Sequence, residues 1–129
     1  MSCDDNNRYK LEIWQGSTFS LTITVKDGSS NTQNITGYDA MMQIRSGYDA
    51  ANATETMSVS NGEITIDGAN GNVYIELAAT RTANIPVDVT GSGIPPKTIY
   101  VYDLELIDDA GRVSKLLYGT ADVYAEVTR

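Results

Sequence analysis

The chain has 129 residues, one cysteine and no histidine, with 17 acidic against 9 basic side chains for a net charge of −8. That length suits one domain with its own core, while the lone cysteine excludes an internal disulfide and the lack of histidine excludes Cys/His metal sites and Ser/His or Cys/His catalytic pairs. The negative charge repels phosphate backbones and anionic lipid, so neither nucleic acid nor membrane is an expected partner.

Residues 1–7 are polar, acidic and without periodicity, and read as a flexible arm ahead of a single domain over 8–129. They carry no basic and apolar signal pattern, and no window approaches the ~18 apolar residues of a spanning helix, so synthesis in a cytoplasm is expected. Tyr9, Leu11 and Ile13 alternate with charged neighbours, which predicts a strand over 8–14. Phe19, Leu21, Ile23 and Val25 alternate with Ser and Thr over 18–26, a half-buried strand with a solvated face. A turn-rich stretch leads to a third strand over 38–45, with Ala40, Met42 and Ile44 on one face. A short strand over 55–59 and a glycine-containing hairpin over 63–77 follow. Thr80 then suits an N-cap for a single helical turn that Pro86 terminates.

The richest β pattern is 98–107. Tyr100, Tyr102, Leu104 and Leu106 form one row and are expected in the core. The opposite row, Ile99, Val101, Asp103, Glu105 and Ile107, begins apolar and turns acidic, which predicts a central strand whose outer face is covered over its first half. Asp108 to Gly111 is a turn leading to a strand over 112–118. Gly119 is expected to bend the chain before a last strand over 121–127. Eight or nine short strands with turn signals about every 8–12 residues, plus one helical turn, predict an all-β fold, an immunoglobulin-like two-sheet β-sandwich with one short helical turn. A closed barrel is the alternative.

Four features could carry function. Asp103 and Glu105 lie two apart on one strand face, about 6–7 Å along the strand, a spacing glycosidase carboxylates also use; with no cleft and no aromatic sugar platform evident, a solvated sheet face is preferred. Asp67, Asn70 and Asn72 sit among glycines as in calcium loops, yet the EF-hand spacing is absent, so a plain turn is preferred and no metal or cofactor is expected. The loop over 87–97 is long and unpatterned, and its Ile94, Pro95 and Pro96 offer a stiff apolar contact for a partner. Ile99 and Val101 offer a second contact, unless that same loop covers them.

The segments 16–25, 35–45, 71–77 and 102–106, with Gly119, resemble the immunoglobulin-like domain at the N-terminus of bacteriophage baseplate upper proteins and related tail-fibre and virion proteins. The resemblance spans roughly residues 9–128. It implies a virion location and a non-enzymatic structural module in a symmetric assembly, either a tail, baseplate or fibre-attachment adaptor or a capsid decoration protein, with other virion proteins as partners. The chain ends at Arg129 with no fibre or receptor-binding region, so the family's fibre-carrying role is not expected of it. A carbohydrate-active enzyme and a host-directed binding protein are the competing readings.

Overall fold

In the computed structural model, residues 7–91 and 93–128 are described. The arm expected at 1–7 lies outside them except for Asn7, whose side-chain amide donates to the Lys115 carbonyl at 3.2 Å. The strands are β1 (Leu11–Trp14), β2 (Phe19–Thr24), β3 (Asp39–Arg45), β4 (Glu55–Ser58), β5 (Ile64–Asp67), β6 (Asn72–Leu77), β7 (Lys97–Ile107) and β8 (Val113–Tyr124). One helical turn, α1 (Ala79–Thr82), connects β6 to the loop before β7. The fold is all-β, in two sheets: five strands in the order β1-β8-β7-β3-β4 and three in the order β2-β6-β5. β1 runs parallel to β8, while the other pairs are antiparallel.

The inner rows follow from strand alternation. Tyr100, Tyr102, Leu104 and Leu106 of β7 are buried beside Ala40, Met42 and Ile44 of β3, as the sequence pattern predicts. Val73, Ile75 and Leu77 of β6 join the same core with Ile64 of β5. Phe19, Leu21 and Ile23 pack against it only partly buried, because β2 is an edge strand with β6 on one side alone.

Three expectations are corrected. The helical turn begins at Ala79, with Ala78 and not Thr80 at its N-cap; Thr82 holds it down by donating to the Ser17 carbonyl at 2.8 Å. A second helical element, a 3-10 turn over Gly68–Asn70, lies inside the β5–β6 hairpin. The expected break at Gly119 does not occur, since β8 runs unbroken through it. Gly119 has φ +150°, and a Cβ there would stand 2.6 Å from the Tyr9 carbonyl oxygen. The missing side chain admits the backbone of the chain entering β1, where Tyr9 N–H donates to the Tyr118 carbonyl at 2.9 Å.

A bulge in β8 decides what lies on the outer face of the larger sheet. Leu104 pairs with Leu117, but Glu105 pairs with Lys115, so Leu116 is an extra residue. In an unbroken register Lys115 would oppose Leu106 on the core side. The bulge instead buries Leu116 and turns Lys115 outward beside the acidic residues of β7.

Candidate functional site

Two surface features contain the residues expected to contact a partner. The first is an open groove at one end of the molecule, where the end of β1, the 87–97 loop and the segment after β8 converge. Gln15 ties these pieces: its N–H donates to the Tyr124 carbonyl (2.9 Å) and its side-chain amide to the Ile85 carbonyl (2.6 Å). The Ala125 N–H donates to the Pro96 carbonyl at 3.0 Å, joining loop to C-terminal segment. The groove is lined by Trp14, Val89, Ile94, Pro95, Pro96 and Val127, among others. Ile94 is 98% exposed and Trp14 47%. Trp14 is held by stacking on Tyr124, with ring centroids 4.6 Å apart, and the Tyr124 hydroxyl donates to Glu12 at 3.0 Å. The structure therefore gathers the Ile94-Pro95-Pro96 contact together with a tryptophan eighty residues earlier in the chain.

Beside this groove the sheet face is electrostatically clamped. Asp122 has a side chain only 3% exposed, and it accepts from Lys97 at 3.1 Å and pairs with Lys10 at 3.3 Å. The hydrogen bond to Asp122 raises the Lys97 pKa above its ordinary value. Ile99 lies next to this clamp in register with Asp122. It is 55% exposed, so neither the 87–97 loop nor any other described residue covers it. This reverses the expected coverage of the outer face: the half-buried part is the later one, over 101–107, where Lys115 of β8 reaches Asp103 and Glu105.

Val101 belongs to the second feature, a cleft of about 320 Å³ on the outer sheet face, whose walls include Gln43, Arg45, Tyr48, Asp103, Lys115 and Tyr118. Asp103 and Glu105 do lie on one face. Lys115 Nζ donates to both, at 2.6 Å to Asp103 and 3.3 Å to Glu105, and the bond to Asp103 raises the lysine pKa. One ammonium thus bridges a pair that a glycosidase would hold apart across a sugar. Sequence reasoning missed the tyrosines of this cleft. Tyr118 stands directly opposite Asp103 across the β7–β8 ladder, and the only signal for Tyr48 was a lone aromatic in a polar loop.

Asp67, Asn70 and Asn72 do not converge. Asn70 donates to Asp67 at 2.9 Å, whereas Asn72 accepts from Thr24 at 2.8 Å and donates to the Tyr74 hydroxyl at 3.2 Å. Among the described residues no group of three acidic or cysteine side chains could hold a metal ion. Thermal melts in EDTA and in excess calcium are expected to coincide, and a rise of several degrees with calcium would contradict this.

Compared with models of protein families, the chain matches none. Nor does any curated protein match it. The functional reading therefore rests on these surfaces and on the resemblance carried by the strand segments.

Proposed function

We propose that this chain is a non-enzymatic structural protein of a bacteriophage virion, an immunoglobulin-like adaptor that docks other virion proteins in a tail or baseplate through its end groove. The observation that carries the reading is the groove itself, which presents Trp14, Ile94, Pro95 and Pro96 together at one end. A chain of net charge −8 gains solubility from that charge, so an exposed apolar cluster held by stacking and by a proline-stiffened loop is a feature to be covered by a partner. Proline contributes because an already restricted segment loses little freedom on docking. Exposed Ile99 extends the apolar surface along the adjoining sheet face. The Asp103/Glu105 pair, bridged by Lys115, favours this structural reading over a carbohydrate-active enzyme.

Quantitative mass spectrometry of purified particles tests the proposal. A tail or baseplate adaptor is expected on the order of six to twelve copies per particle, following the symmetry of such assemblies. Hundreds of copies would indicate capsid decoration instead, and absence from particles would remove the virion reading. A variant carrying Ile94→Gly, Pro95→Ser and Pro96→Gly should fold normally, because these side chains lie outside the core. Its incorporation should fall about tenfold, the equivalent of ~1.4 kcal/mol of docking energy. Wild-type incorporation would place the docking surface elsewhere.

A further inference from the structure

We propose that the cleft on the outer face of the larger sheet binds a neutral oligosaccharide, a property independent of the virion reading. Tyr48 is the first reason. It is 82% exposed in a turn closed by the Ala50 N–H donating to the Gly47 carbonyl at 3.1 Å. The turn is not left to drift: Arg45 Nη1 donates to the Ala50 carbonyl at 2.9 Å, tying the loop that carries the ring to the floor of the cleft. An exposed aromatic side chain on a tethered loop contributes nothing to the core and presents an apolar face with a polar tip. Tyr118, on β8, supplies a second aromatic wall.

The polar lining is equally fixed. Arg45 Nη2 donates to Gln43 Oε1 at 2.9 Å, and Gln43 Nε2 donates to Thr56 at 3.3 Å, so guanidinium and amide are oriented before any ligand arrives. Asp103 is held by Lys115, leaving its second carboxylate oxygen as an acceptor, and the guanidinium and ammonium retain further N–H donors. Oriented donors and acceptors between aromatic faces match a sugar, whose hydroxyls ring an apolar face of C–H groups. Arg45 and Lys115 in the lining are offset by Asp103 beside them and by Glu105, which lies outside the lining but accepts from Lys115 at 3.3 Å, so these four charges sum to zero and give little to select an anionic sugar. The chain's overall negative charge disfavours nucleotides, the other ligands with flat rings and many polar groups. At about 320 Å³, the cleft lies at the small end of ligand sites, enough for one or two sugar rings with the chain continuing over the open sheet.

Two-dimensional amide NMR of the intact chain, titrated separately with maltohexaose, cellohexaose, N-acetylchitohexaose and a heparin hexasaccharide, tests the proposal. At least one neutral hexaose should give saturable shifts centred on residues 43–48, 101–103 and 115–118. Tyr48→Ala should weaken that binding at least about tenfold at unchanged melting temperature, Tyr48→Trp should retain it, and Trp14→Ala, in the separate end groove, should leave it unaltered. The proposal is overturned if none of the three neutral sugars shifts these resonances, if only heparin does, if the shifts map elsewhere, or if Tyr48→Ala binds as the wild type.

Discussion

Replacing Leu104 with alanine lowers the unfolding free energy by about 2–5 kcal/mol, through lost burial plus the cavity left behind. Leu104 is fully buried at the middle of β7, with Met42 of β3 opposite on one side and Leu117 of β8 on the other. Met42 is held in the β3–β7 ladder, which limits collapse around a smaller side chain, while Leu117 adjoins the bulge at Leu116, where the ladder is locally disrupted. A loss near the middle of the range is therefore expected. Urea denaturation at fixed pH measures it, with the midpoint falling and the slope unchanged. A loss below about 0.5 kcal/mol is the size of a surface substitution and would mean that β7 presents its other face to the core.

The second large effect is expected from Gly119→Ala, at about 2–5 kcal/mol, from steric strain and the disruption of a buried hydrogen bond. The new Cβ would stand 2.6 Å from the Tyr9 carbonyl oxygen, so the backbone entering β1 must move. That same oxygen accepts the hydrogen bond of the Tyr102 hydroxyl at 2.6 Å. Tyr102 is buried, and burial raises its pKa, so its hydroxyl stays protonated and needs an acceptor. Displacing Tyr9 therefore costs twice, once in contact and once in an orphaned hydroxyl. In a Tyr102→Phe background the Gly119→Ala loss should shrink, because the hydroxyl is already gone. Additive losses would show that the two residues do not act through Tyr9.

The strands and the main core row were legible because alternation is a local property. Tyr100, Tyr102, Leu104 and Leu106 face inward whichever strands lie beside them, since a strand with one apolar row buries that row. Ala40, Met42 and Ile44 were readable for the same reason. The identity of neighbouring strands was not. Nothing local to residues 11–14 or 121–124 indicates that the first strand pairs in parallel with the last, yet this pairing explains Gly119 and creates the Trp14–Tyr124 stack.

The two surface sites divide along the same line. By composition alone, Ile94, Pro95 and Pro96 marked a stiff apolar loop, because proline's restriction is intrinsic to the residue. Their alignment with Trp14 required the folded chain. The polar cleft was beyond reach: the sequence places Lys115 two residues before Leu117, which suggests that they share a face, and only the bulge at Leu116 separates them. An inserted residue reverses the facing of everything beyond it, and its position is set by packing between strands rather than by preferences within one. Residue type thus determined the strands, the core row and the stiff loop, while tertiary pairing alone decided which side chains meet on the outer face, because those meetings depend on register.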